Sequence, residues 1–395
     1  MGTSLHVTNF KKKGDYNLKI KKEIYLLFLL LTIFLLPKNI FAIEVADEAG
    51  LKAVLESGVK DITLTKDILL TQDVKTSSRT VGLEIKSNGL VNINGNGHKI
   101  STDLDVAIEI RSENENLNVI FTNITIEGAK RAIDTRSAGI SLELNKTKLQ
   151  ITAKGNAQAL TIGGNAERVS VTIFDSNIYG GDAGYGIITF NPVDMIIQSS
   201  TVAGYAAIYM KGADNSVGSA GSVVAITDSN IVGNNKYSGA SDNFGTIVLE
   251  DANIDINVVG SKIIANNLEG SAYQVPVLQT SGTLVTEDNK NNVTILGDSQ
   301  IIINTKNPDK SLIVGNLNLT LGAGVTANIS IAEKFLEEGT TLTHDANGNS
   351  IVIVENPNTA DAQIMPLILI LLTSLLGVSY CIKKRFNFKN FRFYV

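Results

Sequence analysis

The sequence predicts an all-β chain wound as a right-handed parallel β-helix, and three observations carry that reading. First, a short unit recurs, seen most fully in VVAITDSNIVG at 223–233: alternating apolar residues, a small turn residue, then another apolar position two places on. The turn positions are Ile124, Thr147, Ser176, Ser200, Ser229, Ser261 and Ser299, at intervals of 23, 29, 24, 29, 32 and 38 residues. Two residues after each stands Ile126, Leu149, Ile178, Val202, Ile231, Ile263 or Ile301. Second, each repeat holds another apolar run after a bend: Ala132-Ile133, Ala159-Leu160, Gly186-Ile187, Ala207-Ile208, Thr246-Ile247, Pro276-Val277 and Leu312-Ile313. Third, Gly is abundant (34), Pro is scarce (6) and Trp is absent. Gly and Asn accept the left-handed backbone that tight bends need. Branched residues at period two make short strands. No single repeat can bury its apolar side, but parallel stacking buries every inward residue in one column. The uneven intervals point to coils of fixed strand length with loops of variable length, rather than a propeller or a sandwich.

Charge narrows the partners. Over Ile43–Thr359 the 22 Lys and Arg face 36 Asp and Glu, a balance of 22 − 36 = −14. That disfavours nucleic acid and anionic polymers. The only cysteine, Cys381, lies in a C-terminal apolar run, so the expected mature domain has no disulfide although the chain looks exported.

Residues 1–42 read as a signal peptide: Lys11–Lys13, Lys19, Lys21 and Lys22 precede the apolar Ile24–Leu36, with cleavage expected after Ala42. Residues 43–58 supply an N-terminal capping helix over Asp47–Ser57. Asp47 caps it, Leu51, Val54 and Leu55 share one face, and Gly58 ends it. Such a helix plugs the open end of the first coil. Residues 59–329 are assigned to the β-helix. His98 is one of three histidines (with His6 and His344), so no metal cluster or histidine dyad is assembled and no cofactor is expected. Polar insertions at Lys211–Ser222 and Asn234–Phe244 are expected to stack on one side. Tyr179, Tyr185, Tyr205, Tyr209 and Tyr237 fall in three neighbouring coils and form a candidate ligand-contact patch of exposed rings; the alternative is that they simply tile a β surface.

Residues 330–355 read as a C-terminal cap: a short helix over Ile331–Glu338, then a hairpin about Asp345–Asn349. The Asp-x-Asn-x-Asn spacing there lacks the Gly and Glu that a calcium loop requires, so it reads as a turn. Asp175 and Asp228 occupy one turn position two coils apart, with Gln198 between; bend capping fits them better than catalysis.

Residues 356–385 resemble a sortase cell-wall sorting signal. Asn356-Pro357-Asn358-Thr359-Ala360 is followed by the apolar span 364–382 and then Lys383-Lys384-Arg385, with a tail at 386–395. The resemblance implies a sortase partner, cleavage after Thr359 and a bond from Thr359 to the peptidoglycan peptide. It implies membrane contact only through this segment, before processing. Asn356 and Ala360 depart from the commonest Leu and Gly.

The segment LVNINGNGHKIS and the opening AIEVADEAGLKAVLESGVKDITLTKDI resemble the pectate-lyase-like adhesive domains of Gram-positive surface proteins, over roughly Glu44–Ile329. That resemblance implies a wall-anchored adhesin without catalysis that binds a carbohydrate or protein ligand. The alternatives are a surface polysaccharide lyase or hydrolase, and a structural wall protein. The enzymes' Gly-His-Gly and Arg-Ile-Lys motifs are missing, and Ile43–Thr359 holds only five arginines: Arg79, Arg111, Arg131, Arg136 and Arg168.

Overall fold

Along most strands the alternate residues are buried, as in Leu117–Thr122 and Val169–Phe174. A computed structural model shows where these strands go. It describes residues 42–355, apart from 75–78, 87–88, 112–115, 137–138, 154–156, 164–167, 182, 214–217, 236–244, 268–275, 283–284 and 305–311. The strands form a parallel β-solenoid of three sheets. Sheet A has eleven strands, from Ile43–Val45 to Leu317–Leu321; sheet B has twelve, from Ile68–Leu69; sheet C has nine, from Val81–Ile85 to Ile313–Val314.

Each turn stacks like residues on like. The aliphatics two places after the turn residues form one buried column in sheet B: Ile126, Leu149, Ile178, Val202, Ile231, Ile263 and Ile301. Burying each contributes about 1.5–3 kcal/mol. The second apolar runs form a column in sheet C, through Ile133, Leu160, Ile187, Ile208, Ile247, Leu278 and Ile313. Near the end this register sits one residue beyond the expected one, with Leu278 rather than Val277 in the column.

The turn residues explain why they are small and hydroxylic. The amides of Thr147, Ser176, Ser200, Ser229 and Ser261 donate to the hydroxyls of Ser176, Ser200, Ser229, Ser261 and Ser299, at 2.9–3.2 Å. Ser176, Ser200 and Ser229 in turn donate to the carbonyl two residues back, at 2.7 Å. The residue before each is left-handed: Lys146, Asp175, Ser199 and Asp228 have φ of 48–50°. Ser199 therefore stands between Asp175 and Asp228, where the sequence pattern had placed Gln198; Gln198 pairs one position earlier, with Phe174 and Thr227. Both aspartates are turn residues.

The first turn is plugged by a helix, Glu48–Glu56, whose N-cap Asp47 accepts from the Gly50 amide at 2.8 Å. Leu51 is fully buried, and Val54 and Leu55 pack on the core. Glu48 receives Lys52 and the amides of Thr71 and Gln72. At the other end the expected helix over Ile331–Glu338 is only a 3-10 turn, Glu333–Phe335, without a side-chain cap; Leu336 bridges to Leu321 instead. The hairpin Thr340–His344 and Ser350–Val354 closes sheet B antiparallel. Asp345 spends its carboxylate on the amides of Asn347 and Asn349 and the Asn349 side chain, as a turn residue does. Among the described residues no helix is long and apolar enough to cross a membrane. The expected signal segment up to residue 41, the sorting motif Asn356–Ala360 and the apolar span 364–382 lie outside the described residues.

Candidate functional site

The two insertions do not share a corner. Residues 211–222 join sheet C to sheet A, and residues 236–246 join sheet B to sheet C. They leave and enter sheet C at opposite ends of its strands, and the outer face of sheet C carries the chemistry that the core does not explain.

That face is organised in columns about 4.8 Å apart per rung. The central column runs Glu84, Glu109, Asp134, Thr161, Ile188, Tyr209, Val248. Beside it Arg131, Gln158 and Tyr185 align. On the other flank the backbone ladder places Arg111, Arg136, Gly163, Phe190, Lys211 and Glu250 in order.

In the first half the column is charged. Glu109 and Asp134 are fully buried. Asp134 meets Arg79 Nη1 at 2.5 Å, Arg136 Nη2 at 2.8 Å and Arg131 Nε at 3.7 Å. Glu109 meets Arg111 Nη2 at 2.6 Å, and Glu84 meets Lys86 at 2.7 Å and Arg111 Nε at 3.5 Å. Burial pushes the Asp134 carboxyl up to about 7, although Arg131 and Arg79 pull against that shift. Glu109 and Asp134 are register partners on adjacent strands, about 4.8 Å apart at the backbone, the scale of a retaining glycosidase pair. Both lie under guanidinium groups with no exposed surface, so a glycosidic bond has no approach to them. Among the described residues no group of three or more His, Cys, Asp or Glu is placed to hold a metal ion.

In the second half the same column is aromatic and apolar. Ile188, Ala206, Tyr209 and Val248 form a cluster separate from the main core, with Tyr185 and Phe190 packed against it. The Tyr185 ring lies 5.0 Å from that of Tyr209 and 6.3 Å from that of Tyr205. Three of the five tyrosines singled out thus do meet. They are not exposed rings: Tyr205 and Tyr209 are 5 % exposed, and only Tyr185 keeps more surface. The Tyr209 hydroxyl donates to Glu250, which also holds Lys211 at 2.6 Å. Tyr179 sits apart on sheet B beside Gln150 and Ala203, Tyr237 lies outside the described residues, and Ala42 is exposed just before the first strand.

Four of the five arginines, distributed over 58 residues of sequence, converge on this face. The signal for it is present in the chain: Leu83-Glu84-Ile85, Ile108-Glu109-Ile110 and Ile133-Asp134-Thr135 repeat an acid within an apolar strand every 25 residues.

Residues 42–136 match the family described as "Putative pectate lyase-like adhesive domain". The matched stretch is about a quarter of the chain and takes in the capping helix and the whole charged half of the face. No curated protein and no solved structure matches the chain.

Proposed function

We propose that this protein is a non-enzymatic adhesin of a Gram-positive-type surface, anchored to the cell wall by sortase through Thr359, and that the face of sheet C holds its carbohydrate or protein ligand. The observation that carries the proposal is the adhesive-domain match on a β-solenoid. Two features of the site support it. Asp134, Glu109 and Glu84 are each engaged by guanidinium or ammonium groups, and Asp175 and Asp228 serve left-handed turns. Neither set leaves an exposed acid and base facing a shared space.

The test has two arms. Full-length protein is incubated with a panel of polysaccharides, with and without calcium, while unsaturated products and reducing ends are followed. Binding without product is expected; turnover of any polymer would overturn the adhesin reading. In the producing cell, Thr359→Ala is expected to leave the protein out of the covalently bound wall fraction. Equal wall attachment of that variant would remove sortase from the account.

A further inference from the structure

We propose that Arg131 and Arg136, with Gln158 on the floor and the Tyr185 ring beyond it, form a binding site for an acidic sugar, one bearing a carboxylate or sulfate group. This inference rests on the adhesin reading and names a ligand class for it.

The charges on the face do not balance. Arg79, Arg111, Arg131, Arg136 and Lys86 gather round the three carboxylates of Glu84, Glu109 and Asp134. This local cationic surplus sits on a domain that is otherwise acidic, and it includes most of the domain's arginines. Two guanidinium groups have capacity to spare. Arg131 donates Nε to Thr161 at 3.1 Å, and its Nη groups make no hydrogen bond among the described residues. Arg136 gives Nη2 to Asp134, while its Nη1 makes none. Their side chains are 16 % and 26 % exposed, so both are largely out of water while an edge of each stays reachable. A partly desolvated guanidinium with unused N–H groups is matched by an oxyanion, which it grips with two parallel bonds.

A sugar, rather than a bare anion, is indicated by the neighbours. Gln158 lies between Arg131 and Tyr185 on consecutive strands, 5 % exposed, and its Oε1 has no hydrogen-bond partner among the described residues. A buried acceptor beside unused donors suits a ligand that offers hydroxyls as well as a negative charge. Two rungs from Arg131, about 10 Å away, the partly exposed Tyr185 ring presents an apolar face for the C–H side of a second sugar. In the flanking column Gly163 lies between Arg136 and Phe190: a Cβ there would touch Thr135 O at 3.5 Å, Arg136 Nη1 at 3.9 Å and Phe190 at 4.0 Å, so the glycine keeps bulk off this stretch.

The experiment uses the full-length chain and fluorescence anisotropy with four labelled probes: a heparin-derived oligosaccharide, an oligoglucuronate, maltohexaose and an oligoglutamate peptide. At least one acidic sugar is expected to bind, and the sulfated and carboxylated probes distinguish the two oxyanions. Arg131→Gln and Arg136→Gln should each weaken that binding about tenfold or more. Arg168→Gln, which loses an ion pair to Asp194 and bonds to the Val193 and Gly221 carbonyls away from this face, should not. Circular dichroism checks folding. If Arg136→Gln unfolds, the double variant Asp134→Asn/Arg136→Gln, which restores the local charge balance, replaces it. Equal binding of maltohexaose or of the peptide, or unchanged affinity in both arginine variants, would overturn the inference. Binding of maltohexaose alone would do so while leaving adhesion intact, whereas cleavage of a probe would sink the adhesin reading itself.

Discussion

The two halves of the outer face of sheet C meet the same demand by opposite means. Both stack residues on parallel strands, and in both the central column is buried. The first half covers it with arginines over carboxylates; the second covers it with tyrosine rings over aliphatics. Backbone geometry is shared, so the difference lies wholly in side-chain chemistry. It teaches that position in a solenoid says which face a residue is on, and not whether water reaches that face. The boundary runs along Gln158, Thr161 and Gly163, and the adhesive-domain match stops just before it.

The halves should fail differently. The largest effect is expected from Asp134→Ala, which takes the shared carboxylate away from three guanidinium groups and leaves a void. Breaking a buried ion cluster costs about 3–5 kcal/mol, read from urea denaturation. A loss below about 1 kcal/mol would mean that the cluster behaves as a surface network. Next comes pH. The folded Asp134 carboxyl titrates near 7, above its ordinary value of 3.8, so the folded state holds the proton more tightly than the unfolded chain. That contribution is fully present below the ordinary value and is lost as pH rises through about 7. Melting temperature should therefore drift down over this window, and the drift should flatten in Asp134→Asn. An unchanged profile in that variant assigns the titration to another group.

In the aromatic half, Tyr209→Phe removes only the hydroxyl held by Glu250, and about 1–2 kcal/mol should go. Its denaturation midpoint should fall without the pH dependence just described. If that dependence vanished as well, the two halves would be one coupled unit. The smallest effect is expected in the turns shared by both halves: Ser229→Ala removes the bond from the Ser200 amide and should cost about 1 kcal/mol. A loss as large as that of Asp134→Ala would make the turn hydroxyls, rather than the face, the dominant lateral tie.

The solenoid was legible because its period is written twice, once in the residues Ile126 to Ile301 and once in the small residues two places before them. The hydroxyls of Ser176, Ser200 and Ser229 were legible as turn markers, while their chain of bonds from one coil to the next needs three dimensions. The site was less legible. Alternation sorts Tyr209 to the outer face, yet it is blind to Glu250 capturing its hydroxyl and to Ala206 and Val248 packing against its ring. Arg79 and Arg136 are far apart in sequence and meet only because Glu84, Glu109 and Asp134 share a register. The short helix expected at Ile331–Glu338 failed for a local reason: Ala332 offers no cap, and Leu336 finds a partner in Leu321.

The closing hairpin has a mechanical consequence. Hydrogen bonds between coils run along the solenoid axis, so a pull along that axis tests the joints one after another. The joint between Thr326–Ala327 and the hairpin has two paired positions in one sheet, whereas the last coil, with two in sheet B, is held by five more in sheet A, Asn291–Leu296 against Leu317–Leu321. Tension applied from the C-terminal side should peel the hairpin first and leave the coils wound, so that the end of the solenoid acts as a fuse. Single-molecule pulling would show this as a short first extension before any coil opens; a first event that releases whole coils would place the weak joint elsewhere.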